Sequence, residues 1–408
     1  MREAVGTVTI RHVDVVDPSA GRVETDRQIR IVDGTITEVS ADDMSALGAD
    51  EIDGSTLHAI PGLIDCHVHV NAVTASLGTV SDMSPAYVTA RASQILRGML
   101  ARGFTTVRDV GGADFGIAAA TEEGLLAGPQ IIFGGKALSQ TGGHGDLRPA
   151  GRDIVDEHYA LPVLGRIADG VSEVRRAARD EIRRGASHIK IMISGGCASP
   201  TDRVDSLQFS DDELRAIVDE AASANLYCAG HAYTADAVNR GLRLGIRTIE
   251  HGNLLDETSI ALFLERNAYY VPTLTTYVAQ MEDGKELGLD AGQLDKISSV
   301  VDQGFKALEL ADRAGVNIAF GTDLLGEMHA RQSDEFALRS TVQSSQAILL
   351  SATVTAAALL RRESELGVIT PGARADVVLT RGNPMADIAV LAQPASGIAH
   401  VIRRGVPS

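Results

Sequence analysis

The chain has 408 residues, and its 37 Lys and Arg against 54 Asp and Glu give a formal net charge of −17. A polyanion of this charge repels the phosphates of nucleic acids and of anionic lipids, so we expect neither nucleic acid nor a membrane as a partner. The hydrophobic content of 44% and charged content of 22% are typical of a folded globular protein and exclude a disordered one.

Three features bear on the cellular compartment. The three cysteines, Cys66, Cys197 and Cys228, are too few for a disulfide framework and favour a reducing environment. The sequence after Met1 lacks the apolar segment of a signal peptide. The uncharged stretch from Ser340 to Leu360 contains Ser, Thr and Gln throughout, which predicts a buried helix rather than a membrane span. We therefore expect a cytoplasmic protein.

Both ends of the chain carry the alternating pattern of short strands. The first predicted strand covers 7–16, with a bulge near His12 where the alternation changes phase. A hairpin follows, with strands at 28–32 and 36–39 around the turn Asp33-Gly34. Strands are also predicted at 375–379 and 400–403. Pairing of the two ends predicts a small β-sandwich domain composed of residues 1–58 and 366–408.

The middle of the chain alternates short apolar runs with amphipathic helical stretches. Two of the helices are predicted at 211–224, with Ser210 as the N-cap, and at 300–314. The apolar runs are 63–70, 105–110, 130–134, 188–193, 226–232, 247–251, 269–274 and 317–321. This α/β rhythm predicts a (β/α)8 TIM barrel over residues 59–365.

Polar side chains occur in or just after five of these predicted strands. Such positions are where barrel enzymes place their chemistry. The candidate metal ligands are His67, His69, Lys190, His231, His251 and Asp323. His67 and His69 are two residues apart on a strand and therefore face the same side. One His-x-His pair is weak evidence for a metal, but six candidates on five strands are a much stronger signal.

Lys190 leaves two interpretations open. An ammonium group beside two divalent cations would be strongly repelled, so a lysine at a metal centre must be neutral or chemically altered. Carboxylation by CO₂ would turn it into an anionic carbamate with two oxygens that can bridge two metals. The simpler alternative is a lysine inside the barrel that pairs with an acid.

The motifs in this chain resemble those of the amidohydrolase superfamily over nearly its whole length. They are Pro61-Gly62-Leu63-Ile64-Asp65-Cys66-His67-Val68-His69, His188-Ile189-Lys190-Ile191-Met192, Gly230-His231-Ala232-Tyr233, Ile249-Glu250-His251-Gly252-Asn253 and Gly321-Thr322-Asp323. The segments 139–146 and 321–327 resemble the branch of metal-dependent Xaa-Pro dipeptidases, carboxypeptidase-like dipeptidases and ochratoxin amidohydrolases.

The resemblance implies a role for each residue. His67, His69 and Asp323 would hold one divalent ion, expected to be Zn²⁺, and His231 and His251 a second. N6-carboxylated Lys190 would bridge the two ions, and a bridging hydroxide would attack the amide carbonyl. Asp323 would move the proton to the leaving nitrogen, Tyr233 would donate to the carbonyl oxygen, and His144 would help to hold the substrate.

The predicted function is hydrolysis of a small-molecule substrate, namely an Xaa-Pro dipeptide or an N-acyl amino acid. The same site could instead take an ochratoxin-like amide, a cyclic amide, a urea or a lactone, and a non-catalytic scaffold is the remaining alternative. Arg148, Arg203 and Arg331 are candidates for binding a substrate carboxylate. We expect His329 to be an exposed loop residue, Cys66 to be packed in the barrel wall, and the protein to be a homo-oligomer.

Overall fold

The computed structural model describes residues 6–44, 50–149, 151–152, 158, 160, 162–199 and 202–408. The strands, in chain order, are β1 Thr7–Asp17, β2 Arg22–Val32, β3 Thr35–Ser40, β4 Asp50–Asp53, β5 His58–Pro61, β6 Leu63–Val68, β7 Phe104–Asp109, β8 Gln130–Phe133, β9 Ala137–Ser139, β10 Gly165–Ile167, β11 Ile189–Met192, β12 Cys228–Thr234, β13 Thr248–Leu254, β14 Tyr269–Val271, β15 Asn317–Ile318, β16 Val377–Thr380, β17 Ile398–Arg403 and β18 Val406–Pro407.

The described α-helices come mainly between the strands of the parallel sheets. They are α1 Pro85–Ala101, α2 Phe115–Glu122, α3 Val171–Arg183, α4 Asp211–Ser223, α5 Ala235–Arg243, α6 Glu257–Arg266, α7 Leu274–Asp283, α8 Ala291–Ala314, α9 Asp334–Arg339, α10 Ser345–Ser351, α11 Val354–Leu359, α12 Ala389–Ala392 and α13 Pro394–Gly397. Leu77–Asp82 and Gly326–Arg331 are 3₁₀ helices. Among the described residues, no helix is both long and apolar enough to cross a membrane.

The two ends of the chain form one eight-stranded sheet in the order β18-β17-β16-β5-β1-β2-β3, with β4 also paired to β1. The antiparallel pair β5–β16 joins the N-terminal strands to the C-terminal ones. The predicted bulge is confirmed, because the β1–β2 register shifts between Ile10 and Val13 and His12 has φ 54°. The mixed fold, with a β domain from both termini, is therefore confirmed. The boundaries at 58/59 and 365/366 stay a prediction.

The barrel is built from two parallel sheets, β6-β7-β8 and β10-β9-β11-β12-β13-β14-β15. They meet where β8 runs into β9, and Ser187 N donates to Phe133 O at 2.9 Å. On the other side, Cys66 N donates to Phe320 O at 2.7 Å and Asp323 N to His67 O at 2.9 Å. All eight predicted apolar runs overlap strands of this barrel. The short strands β9 and β10 were not predicted.

The predicted helices are confirmed in part. α4 begins with a capping box between Ser210 and Glu213, as its sequence indicates. α8 begins nine residues earlier than predicted, at a second capping box between Asp290 and Gln293. The prediction of a single helix from 340 to 360 is wrong, because α10 and α11 are separate. Thr353 between them has a non-helical φ of −132°. Its hydroxyl donates to Leu349 O at 2.6 Å and so competes with the backbone hydrogen bonds that would continue the helix.

Candidate active site at the carboxyl ends of the barrel strands

Three of the predicted ligands form a compact group at the ends of β6 and β15. His67 Nε2 and His69 Nε2 each lie 3.3 Å from Asp323 Oδ1. One donor atom from each residue lies within 4.8 Å of the other two, a spacing suited to one metal ion. The chain approaches this closely because Gly321 lacks a side chain: a Cβ there would lie 2.4 Å from Val271 Cγ1 and 2.9 Å from His67 Cβ.

His231 and His251 stand beside this group on the neighbouring strands β12 and β13. The ring centroids of His231 and His251 are 4.6 Å apart, and those of His67 and His251 are 4.9 Å apart. Both histidines are buried, and burial lowers the pKa of each well below its ordinary value. They are therefore neutral, which is the form of imidazole that binds a metal.

The other ring nitrogen of each imidazole is held by a neighbouring group. His67 Nδ1 lies 2.8 Å from Glu250 Oε2, His69 Nδ1 2.7 Å from Gly111 O, and His251 Nδ1 2.8 Å from Thr273 Oγ1. His231 is held through Nε2, 3.2 Å from Gly195 O. Such contacts fix ring orientation and leave one nitrogen of each ring for a ligand. The donor set therefore fits divalent metal.

Lys190 lies in the same pocket and is 2% exposed. Burial lowers its pKa to about 8, although Glu250 and Asp323 oppose that shift. Within the described part of the chain, no carboxylate lies within 4.0 Å of its Nζ, and the alternative of a direct pair with an acid is not met there. A buried amine with a lowered pKa has a larger neutral fraction, and the neutral amine is the form that reacts with CO₂.

Glu250 has a positioning role that the sequence did not predict. It contacts His67, and both of its oxygens accept from Arg108 Nη2, at 2.8 and 2.9 Å. Although burial alone would raise the pKa of Glu250, Arg108 and His67 hold it well below the ordinary range. The available signal was an acid and an arginine inside predicted buried strands, where unpaired charges are rare.

Asp323 is ionised for a related reason. Burial by itself would raise its pKa, but His67 and His69 hold it well below the usual carboxyl range. Strain accompanies this placement, because Asp323 has φ 52°, His251 φ 75° and Thr273 φ 21°. Left-handed backbone at non-glycine residues costs free energy and is common where side chains must be aimed precisely.

Tyr233 and His144 also line the pocket, whose empty volume including its open mouth is about 640 Å³. The Tyr233 ring stacks on His251 with centroids 5.2 Å apart, and burial raises the pKa of its phenol well above 10, with Cys197 and Tyr277 adding to the effect. The His144 ring stacks on His231 at 4.2 Å, and its Nδ1 lies 2.9 Å from Ser199 Oγ. The structure therefore brings together all eight predicted site residues.

Several other expectations differ from the structure. His329 is buried rather than exposed: its Nε2 lies 3.3 Å from Ala72 O, and burial lowers its pKa to about 3. The three candidate arginines do not line the described pocket. Arg148 pairs with Asp146, Arg203 with Asp205, and Arg331 with Glu282, Asp283 and Asp334. Cys66 is fully buried in the barrel wall, as predicted.

Two pocket residues were not singled out from the sequence. Tyr277 and Gln280 lie one turn apart on α7, and both are buried and line the pocket. Residues three apart on a helix share a face, so the helical spacing was the available signal. Which helix faces the site could not be read from the sequence.

Comparison with known proteins agrees with this geometry. Residues 58–407 match the amidohydrolase family. The chain belongs to the amidohydrolase family. The resemblance stated from the motifs is confirmed, and so is a hydrolytic enzyme.

The relatives lie within the predicted branch. Ochratoxinase from Aspergillus niger is 34% identical over 363 residues, which cover 85% of this chain and 74% of that protein. A prolidase solved in complex with N-methylphosphonate-L-proline is 45% identical, with a TM-score of 0.96 over 98% of this chain and 99% of that one. A Xaa-Pro dipeptidase solved with methionine in its active site is 29% identical, with a TM-score of 0.86 over 99% of this chain and 100% of the other. These similarities support amide hydrolysis as the reaction class.

Proposed function

We propose that this amidohydrolase uses two divalent metal ions to cleave the amide bond of Xaa-Pro dipeptides or N-acyl amino acids. The proposed metal is Zn²⁺. The observation that carries the proposal is the convergence of four histidines, Asp323 and Lys190 around one pocket. His67, His69 and Asp323 would hold one ion, and His231 and His251 the other. Lys190 would bridge them as its N6-carboxylate. When bound, the ions would supply Lewis acidity and lower the pKa of water toward neutrality.

Asp323 carries the proton in this proposal. Its low pKa keeps it ionised at neutral pH, so it can accept the proton that the attacking water loses. It then delivers that proton to the leaving nitrogen. This delivery matters because an amide nitrogen leaves slowly until it is protonated.

Tyr233 and His144 act on the substrate itself. The high pKa of Tyr233 keeps its phenol protonated, so it can donate to the carbonyl oxygen as negative charge develops there. His144 Nδ1 is engaged by Ser199, which leaves Nε2 for a hydrogen bond to the substrate. Stacking on His231 fixes the plane of that ring.

Three relatives bear on the substrate class. The prolidase and Xaa-Pro dipeptidase neighbours favour dipeptides with a prolyl nitrogen as leaving group. The ochratoxinase relative supports, as a second candidate, an ochratoxin-like amide. Cytoplasmic location and homo-oligomeric assembly remain predictions.

A substrate panel tests the proposal. Protein loaded with Zn²⁺ and bicarbonate is assayed on Xaa-Pro dipeptides and N-acyl amino acids, and in parallel on an ochratoxin-like amide, a cyclic amide, a urea and a lactone. Asp323→Asn prepared in the same way controls for contaminating hydrolases. Turnover of the first two classes by the wild type alone supports the proposal. If only the parallel set is cleaved, the substrate assignment is overturned, and if nothing is cleaved, the catalytic assignment fails.

A further inference from the structure

The opposite, amino-terminal end of the barrel contains a second cavity of about 260 Å³. Its wall is apolar and comes from α4, α5 and the start of β12, with Val218, Ala221, Leu242 and Ile246 among its residues. Three arginines, Arg247, Arg266 and Arg361, also line it. A cavity that combines an apolar wall with several cations is unexpected in a chain of net charge −17.

Two of these arginines have no acidic partner in the part of the chain that the structure describes. Within the described residues, neither Arg247 nor Arg361 lies within 4.0 Å of a carboxylate, whereas Arg266 contacts only its exposed neighbour Glu265, at 3.4 Å. Arg247 Nη2 donates to Ala358 O at 3.1 Å, and Arg361 Nη1 donates to Asn225 O at 2.8 Å. Arg247 also hydrogen-bonds to the Tyr269 side chain, but a guanidinium has five N–H donors, so both groups keep further donors for a ligand. Arg247 Nε is buried and has no described acceptor.

Both cations lie beside the ring of Tyr227. The Arg247 guanidinium carbon lies 4.7 Å from the Tyr269 ring centroid and 5.8 Å from that of Tyr227. The Arg361 guanidinium carbon lies 5.5 Å from the same Tyr227 ring. Two like charges beside one ring repel each other, and a bound anion that contacts both would offset that repulsion. Arg361 also has φ 59°, a strained conformation of the kind found at ligand sites.

We propose that this cavity binds a small organic carboxylate, with its apolar body against the α4–α5 wall and its carboxylate on Arg247 and Arg361. Planar guanidinium groups match a carboxylate with paired hydrogen bonds. The size is adequate, because an apolar cavity of about 150 Å³ already accommodates benzene. The site lies at the end of the barrel away from the catalytic pocket and does not depend on the proposed function.

The binding test uses 4-bromobenzoate as the probe, titrated calorimetrically into the metal-loaded enzyme. The uncharged 4-bromobenzamide and inorganic phosphate are titrated in parallel, because they separate the contributions of the charge and of the apolar wall. We expect 4-bromobenzoate to bind more tightly than either. Equal binding of phosphate, or of the amide, overturns the proposal.

Variants locate the binding. Arg361→Gln and Arg247→Gln should each raise the Kd of 4-bromobenzoate by about tenfold, since each removes a charge-assisted contact. Arg361 is exposed, so its replacement spares the fold even if that of Arg247 does not. Arg313→Gln is the matched control, because Arg313 is exposed on α8 and pairs with Glu309. An unchanged Kd in Arg361→Gln contradicts the proposal.

A crystal soaked with 4-bromobenzoate gives the position directly. An anomalous bromine peak between α4 and α5 supports the assignment. A peak only in the catalytic pocket overturns it, as does binding at crystal concentration only, with no signal in solution.

Discussion

The two halves of the candidate site are assembled in different ways. His67, His69 and Asp323 form a group whose donor atoms lie within 4.8 Å of one another, without any added chemistry. His231 and His251 are two neutral imidazoles, and the third member of their half is a lysine whose unmodified side chain offers no negative charge. The first half is thus a complete three-ligand set, whereas in our proposal the second half would depend on carboxylation of Lys190.

The groups that orient the histidines also differ between the two halves. In the first half, His67 is oriented by a charged group, because it contacts Glu250, which is ion-paired with Arg108. Neutral groups, Thr273 Oγ1 and Gly195 O, orient His251 and His231. We infer that the first half binds metal more tightly, and that the second half is where the metal content and the activity are most easily lost.

Removal of the Lys190 side chain should have the largest effect. In Lys190→Ala, the second half keeps only two imidazoles, so we expect loss of one metal per chain and a fall in kcat of about 10³-fold. Short carboxylic acids should restore part of the activity by taking the place of the bridge. Metal analysis and turnover are measured together, with Lys306→Ala, at an exposed lysine of α8, as the control. Full turnover in the variant would contradict the bridging role.

Tyr233→Phe should lower kcat by about 10²- to 10³-fold, because loss of a preorganised donor to the developing oxyanion raises the barrier to reaction. The phenyl ring can still stack on His251, so metal content should not change. Tyr87→Phe, at an exposed tyrosine, is the matched control. A fall in metal content that parallels the fall in kcat would assign Tyr233 to the structure of the second half instead.

Glu250→Gln tests the first half of the site. It leaves the shape of the residue but removes the charge that pairs with Arg108, and it should weaken metal binding in the first half by about 10- to 100-fold. Competition with a chelator measures that affinity. Glu309→Gln on α8 serves as the control. If only the second half loses metal, our ranking of the two halves is wrong.

The six candidate ligands could be singled out from the sequence because they lie within or just after predicted buried strands, and barrel topology makes such side chains converge. The supporting contacts were harder to predict. The contact between His67 and Glu250 joins two strands, and the two residues are 183 positions apart in the sequence. Arg331 looked available for substrate, but its ion pairs form with Glu282, Asp283 and Asp334 on two other parts of the fold. Burial of His329 follows from the packing of the segment after β15, which has no periodic pattern.

The smallest predicted effect concerns Glu335, which contacts the backbone next to the residue that orients His251. Its Oε2 accepts from Thr275 N at 2.7 Å near the start of α7, next to the Thr273 that holds His251. Burial raises the pKa of Glu335 from 4.5 to about 8, with Arg339 opposing the shift. The native chain therefore keeps a proton that the unfolded chain releases, and this group makes stability fall as the pH rises from about 4.5 to about 8.

Glu335→Gln should remove this group's contribution to the loss of stability with rising pH. Urea unfolding at pH 5, 6, 7 and 8 measures it, with Glu363→Gln as the control for loss of an acid elsewhere. We expect the variant to gain stability relative to the wild type as the pH rises through this range. Parallel profiles would show that Glu335 is already ionised in the folded protein.

The two-metal centre is tested by counting the metal ions and the carbamate in the same sample. Protein reconstituted with Zn²⁺ and ¹³C-bicarbonate is analysed for metal per chain and for a carbamate signal by ¹³C NMR, beside Lys190→Ala. We expect two zinc ions and one carbamate per wild-type chain, and one zinc ion with no carbamate in the variant. A single zinc ion in the wild type, or two in the absence of any carbamate, would contradict this expectation.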